Sequence, residues 1–280
     1  MCFRPMRYGQ PSAHRRQQGG YVLVIMLVII VTGSLYGLLD RLNANAAETS
    51  RITVTNNALK QAREALLAYA VTYKERSRDA YGNSDPNGYL PCPDLESDDQ
   101  NPHWIGTAAG TCGSTGAFSV GLLPTQSLGL PELRDGDGNC LWYAVSGTHK
   151  MNPKAAAVPG TGAAQFEVFD AAGNLLISRT GIELGAAAVV LAPGAALGSQ
   201  NRSAIAGKPC ATHSSQVAAY LESLGPAFVT GIQKDAAGAA VKNDQLSWVT
   251  TREISQLIGK RSDMQSPTPC DDDGDDCDDD

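Results

Sequence analysis

Tyr21 to Leu39 runs nineteen residues without a charge and is closed by Asp40-Arg41. At about 1.5 Å per residue, a helix of that length just spans the roughly 30 Å hydrocarbon core of a bilayer. Beyond Arg41 the pattern becomes one-sided. Ile52, Leu59, Ala62, Leu66, Ala70 and Tyr73 recur at spacings of three, four and seven, with Arg51, Lys60, Arg63 and Glu64 off that stripe. One helical face requires those spacings, so the pattern predicts a nearly continuous helix from Tyr21 to about Arg76, its outer half packing the stripe under a sheet.

From Asp79 to Pro131 the chain is rich in Gly, Pro, Ser, Asp and Asn, with Gly82-Asn83, Asp85-Pro86 and Asn87-Gly88 as turn signals, and it reads as a long loop region. Strands are predicted at Leu141–Val145, Gln165–Phe169, Leu175–Ser178 and Ala187–Leu191, with Asp170-Ala171-Ala172-Gly173-Asn174 as a hairpin loop. Helical patterns return at Gln216–Leu224 and Thr251–Ile258, and a short strand is expected at Leu246–Val249. No internal repeat is recognised. At 280 residues with 42% hydrophobic positions, the chain has material for one good core.

Charge fixes the orientation expected for the apolar run. Residues 1–20 carry Arg4, Arg7, Arg15 and Arg16 and no acidic residue, which by the positive-inside rule keeps that end cytoplasmic and sends the rest across the membrane. Losing those four arginines takes the formal charge from −7 to −11, which argues against nucleic acid as a partner through net charge. Outside Cys2 the cysteines are Cys92, Cys112, Cys140, Cys210, Cys270 and Cys277. In an oxidising compartment six cysteines read as up to three disulfides, with fifteen connectivities open. Short separations close most readily, which favours Cys92 with Cys112, Cys140 with Cys210 and Cys270 with Cys277.

The order of features at the start differs from that of a secretory signal, whose cleavage site follows its apolar stretch. Here Arg15-Arg16-Gln17-Gln18-Gly19-Gly20 directly precedes Tyr21-Val22-Leu23-Val24-Ile25-Met26-Leu27-Val28. This resembles the leader of type IV prepilins and type II secretion pseudopilins, which a membrane peptidase cuts after glycine. The resemblance implies processing after Gly20, with Gly19 a second candidate, and an N-methylated Tyr21 as the new first residue. A plain, uncut signal anchor is the alternative. Most members of the family carry glutamate at the fifth mature position to pair with a neighbour's N-terminal amine, whereas this chain has Ile25. A charge in the bilayer interior is costly unless paired, and glutamate-lacking subunits are associated with the filament tip. Gly33-Ser34-Leu35-Tyr36-Gly37 is a G-x-x-x-G, read equally as a close-approach face or as a pliable stretch of helix.

Head segments extend the resemblance over most of residues 15–260: Leu90-Pro91-Cys92-Pro93-Asp94, Gly129-Leu130-Pro131, Asp135-Gly136-Asp137-Gly138-Asn139-Cys140-Leu141-Trp142-Tyr143, Leu191-Ala192-Pro193-Gly194 and Asn243-Asp244-Gln245-Leu246-Ser247-Trp248-Val249. Asp135, Asp137 and Asn139 also imitate the first half of a calcium loop, and some pseudopilins bind calcium in their heads. An EF-hand loop needs Gly and Glu where Cys140 and Ser146 stand, so side chains capping a turn are the favoured reading. After Cys270, eight of the last ten residues are aspartate, read as a solvated tail in preference to a calcium site. His103, His149 and His213 fall in no H-E-x-x-H, and there is no G-x-S-x-G, so no enzyme is predicted.

The sequence thus predicts an α+β protein with four segments: a leader at 1–20, a long N-terminal helix at 21–76 (transmembrane at 21–39) on an antiparallel β-sheet, a disulfide-stapled head at 77–265, and an acidic tail at 266–280. By resemblance it is a minor pilin or pseudopilin without cofactor, spanning the bacterial inner membrane once with its head in the periplasm or in an extracellular filament. Its implied partners are other pilins, the prepilin peptidase and the inner-membrane assembly platform. The rival reading is a signal-anchored periplasmic binding or sensor protein that never polymerises.

Overall fold

The structure is a computed structural model and describes residues 19–77, 85–95, 105–155, 162–198, 200–202, 209–210 and 216–265. Two units divide the chain at Thr49/Ser50. Helix α1 (Gly19–Val71) contributes to both, and the first unit's described residues all lie in it. The second unit holds α2 (Tyr73–Arg76), β1 (Ser119–Leu122), β2 (Trp142–Val145), β3 (Glu167–Asp170), β4 (Leu175–Ile177), β5 (Ala186–Ala192), α3 (Val217–Tyr220), β6 (Ala227–Thr230), β7 (Gln233–Lys234), β8 (Ala240–Lys242), β9 (Gln245–Thr250) and α4 (Thr251–Gln265). The protein is therefore mixed α+β, with an N-terminal apolar helix.

A four-stranded antiparallel sheet, ordered β1-β2-β5-β9, organises the second unit. Its central strands, β2 and β5, are buried on both faces, and period-two alternation sorts the sheet's side chains into two cores. Tyr143, Val145, Val190, Ala192 and Val249 face one way, against Ala58, Leu59, Ala62, Leu66 and Ala70 of α1 and Ile254 of α4. Trp142, Ala144, Val189 and Leu191 face the other, against Phe166, Val168, Ile177, Tyr220 and Phe228. A register shift between Ala186 and Ala188 lets Ala187 and Ala188 both join the α1 side. The outer layer is a three-stranded sheet, β4-β3-β6, and β7 and β8 form a separate hairpin. Edge-on aromatic contacts tie the second core together, with Phe166 and Phe228 ring centroids 5.4 Å apart.

Several elements depart from the sequence expectation for identifiable reasons. The helix breaks at Thr72 because the Gly88 N–H takes the Ala70 carbonyl (2.8 Å), while the Lys74 N–H turns away to Asn87 Oδ1 (2.8 Å). Ile52 is exposed; Thr55 is buried in the stripe instead and meets the Asp135–Asn139 turn. Strand β1 lies inside the stretch expected to be loop. Its Gly121 lies so close to the Asp94 carbonyl that a Cβ would fall 2.7 Å from it. Helix α3 is cut short because Arg202 Nε and Nη2 take the carbonyls of Ala219 (2.9 Å) and Tyr220 (3.0 Å). Helix α4 outruns its expected end: Leu257 and Ile258 pack on the core, and Arg261 donates to the Val71 carbonyl at 2.7 Å. The expectation of antiparallel pairing holds for the four-stranded sheet and for β3 with β4, and fails between β3 and β6, which run parallel.

Candidate functional site

In the first unit, Tyr21–Leu38 is an uncharged stretch with a mean hydropathy of 2.4, and none of it is buried. The exposed positions include Leu23, Ile25, Met26, Leu27, Ile30 and Val31, so the segment is apolar all round. A helix of that character is stable only when lipid or other apolar helices surround it. Its polar side chains need no water. Thr32 Oγ1 donates to the Val28 carbonyl at 2.8 Å, and Ser34 Oγ donates to the Ile30 carbonyl. Nothing lies within 4 Å of where a Cβ would stand on Gly33 or Gly37, which leaves the G-x-x-x-G positions open for a neighbouring helix.

Gly19 and Gly20 form the first residues of α1, two positions earlier than the sequence predicted, and Tyr21 follows in helical conformation. Each glycine weakens the start of the helix by up to about 1 kcal/mol relative to alanine. Ile25 is exposed on the same apolar segment. The rest of the expected leader, residues 1–18, lies outside the described residues.

The expected calcium residues come together in a tight turn before β2. Asp135 Oδ1 accepts from the amides of Asp137 (3.0 Å) and Asn139 (2.7 Å), and Oδ2 accepts from the Gly194 amide at 2.9 Å. Asn139 Nδ2 donates to the Gly194 carbonyl at 2.8 Å. Burial raises the Asp135 carboxyl above its ordinary range, and the bonds from Asn139 and Gly194 oppose that rise.

Among the described residues the same turn occurs twice more. Asp170 Oδ1 accepts from Ala172 and Asn174, and Asp235 Oδ1 accepts from Ala237 and Ala239, with Gly173 and Gly238 at positive φ matching Gly138. The three turns share a D-x-x-G spacing, but the spacing alone does not encode them: Asp85-Pro86-Asn87-Gly88 has it too, and there the Gly88 N–H goes to the Ala70 carbonyl instead. What sets the first copy apart is its position on α1. Gly136 donates its N–H to Thr55 Oγ1 at 2.9 Å, and Asp137 pairs with Arg51 at 3.5 Å. Among the described residues, no group of three or more His, Cys, Asp or Glu side chains is arranged to hold a metal ion.

Among the described residues two disulfides are present, Cys92–Cys112 and Cys140–Cys210. The first closes the loop ahead of β1, and Lys150 Nζ holds that loop from beneath by donating to the carbonyls of Cys112 (2.5 Å) and Ser114 (2.6 Å). Lys150 is fully buried, and desolvation lowers its pKa. Nothing in the sequence pattern marked it. Cys270, Cys277 and the acidic tail lie outside the described residues.

His149 is buried between Thr148 Oγ1 (2.8 Å from Nδ1) and Thr251 Oγ1 (3.3 Å from Nε2), and desolvation lowers its pKa to about 4. His103 and His213 are outside the described residues. A cleft of about 300 Å³ holds Asp94, Gln126 and Glu132. Asp94 Oδ2 accepts from the Gly106 amide at 2.8 Å, and Glu132 pairs with Arg134 at 2.6 Å. Among the described residues lining it there is no histidine. Comparison of the chain with protein-family models, curated proteins and solved structures gives no match.

Proposed function

We propose that this chain is a prepilin-type filament subunit, cut after Gly20 by a prepilin peptidase and incorporated through Tyr21–Leu39 into a type IV pilus or a type II secretion pseudopilus. The observation that carries the reading is an uncharged helical segment, apolar on every side, that begins at the residue after the Gly19-Gly20 pair. Such a segment serves equally in a bilayer and in the helical core of a filament, because both surround it with apolar groups. The self-bonded hydroxyls of Thr32 and Ser34 support the same reading. The two disulfides support a head held outside the reducing cytoplasm.

In this reading the subunit is a minor one, placed at the filament tip. Ile25 offers no carboxylate to a neighbour's N-terminal amine, so a subunit beyond it could not be received by the usual ion pair. The head acts by contact rather than catalysis, and its partners are other pilins and the inner-membrane assembly platform.

Replacing Gly20 by tryptophan tests the proposal. The expected result is accumulation of a full-length precursor in the inner membrane and loss of the chain from sheared filament fractions. Unchanged size and unchanged fractionation of Gly20→Trp would leave a signal-anchored protein that does not polymerise.

A further inference from the structure

Met151 follows the buried Lys150 in the loop after β2, and its own N–H fixes it there by donating to the Leu90 carbonyl at 2.9 Å. The side chain is half-buried and serves two surroundings. It packs against the core between α1 and the four-stranded sheet, and it also lines a cleft of about 540 Å³ with Tyr73, Gly110, Asn152, Pro153 and Lys154. From α1, the Tyr69 hydroxyl donates to Met151 Sδ at 3.4 Å. The Tyr69 ring is itself held: the Tyr73 ring lies 6.0 Å away between centroids, and the Arg76 guanidinium stands 4.6 Å over its face.

A thioether sulfur carries two lone pairs and is only a weak acceptor, so a hydroxyl aimed at it occupies one pair and leaves the other as a nucleophile. The two faces of the Met151 sulfur are therefore unequal. Reagents reach it from the cleft, which is large beside the roughly 30 Å³ that a water molecule occupies, and hydrogen peroxide is little larger than water. Oxidation also matters more here than at a surface methionine. A sulfoxide is polar, and this side chain belongs in part to the core.

We propose that Met151 is a modification site for hydroperoxides, and that the Tyr69 hydroxyl directs its oxidation to one sulfoxide epimer. The open lone pair attacks one oxygen of hydrogen peroxide, the S–O bond forms and the O–O bond breaks. The proton on the transferred oxygen passes to the departing hydroxide, which leaves as water. Sulfur gives up two electrons and the peroxide takes them. The oxidised sulfur is electron-poor and no longer accepts, so the Tyr69 O–H loses its partner and this tie between α1 and the loop is cut. Sulfoxide reductases each act on one epimer, so a single class of reductase can restore the thioether and the tie.

The test treats the full-length protein in detergent micelles with hydrogen peroxide, beside the same chain unfolded in guanidinium. Peptide mapping by mass spectrometry follows the oxygen gained at Met151, and digestion with each epimer-specific sulfoxide reductase gives the epimer ratio. In the folded protein one epimer should exceed the other about fivefold, the factor that one ordinary hydrogen bond supplies. The unfolded chain should give nearly equal amounts, and Tyr69→Phe should bring the folded ratio close to one. The melting midpoint of the oxidised wild type should fall by at least about 2 °C and recover after treatment with the matching reductase. Met151 left unoxidised in the folded protein while the unfolded chain is converted overturns the proposal. So do equal epimers in the folded wild type, a ratio that Tyr69→Phe leaves unchanged, or a midpoint that oxidation does not move. Should Tyr69→Phe fail to fold, the folded and unfolded wild-type ratios decide alone.

Discussion

Gly136 lies so tightly against Arg51 that a Cβ on it would fall 2.2 Å from the Arg51 carbonyl oxygen and 2.5 Å from the Arg51 Cα. The contact explains why this copy of the D-x-x-G turn reads Asp-Gly-Asp-Gly where the others read Asp-Ala-Ala-Gly. The second position must lack a side chain, and the third supplies a carboxylate to Arg51. Gly136→Ala should therefore push the turn off the helix at a cost of about 1–3 kcal/mol, as overpacking does where backbone cannot yield. Asp137→Ala should cost under about 1 kcal/mol, since its ion pair is largely exposed. Chemical denaturation of the two variants beside the wild type checks the ranking, and equal costs would contradict it.

The disulfides should differ in weight. Cys92–Cys112 spans 20 residues and Cys140–Cys210 spans 70. On chain entropy, removing the first by paired alanine substitution should cost about 3 kcal/mol and removing the second about 4 kcal/mol. Thermal melts of both double variants measure this, with the larger fall in midpoint expected for Cys140→Ala/Cys210→Ala.

His149 should give the protein an acid-sensitive slope. Its folded pKa of about 4 lies below the ordinary 6.5, so as pH falls through that window the unfolded chain takes up a proton that the native state refuses. Stability from this group is full above about 6.5 and is lost down to about 4, by no more than about 3 kcal/mol. Denaturation midpoints between pH 7 and pH 4 should show the decline, and His149→Gln should flatten it.

Much of this architecture can be read from residue patterns, and what is missed has a common cause. The stripe Leu59, Ala62, Leu66, Ala70 declares itself by its helical period, and β2 and β5 declare themselves as short unbroken apolar runs, Trp142–Val145 and Ala186–Ala192. Strand β1 does not: Ser119-Val120-Gly121-Leu122 carries a glycine that a neighbouring backbone requires, and glycine argues locally for a turn. The ends of α1 and α3 are set by Gly88, Asn87 and Arg202, partners distant enough in sequence that no local signal points to them. Lys150 and Asp244 were likewise invisible, because a charge looks exposed until the fold wraps around it. The Asp135 turn was legible as a turn, while its seat on α1 was not.

The central claim is that the chain is processed at Gly20. Intact-mass and N-terminal fragment analysis of the protein purified from membranes tests it most directly. The account predicts a mature chain that begins at Tyr21 with an N-methyl group. An N-terminus still carrying residues 1–20, or one created by cleavage beyond Leu39, would contradict it.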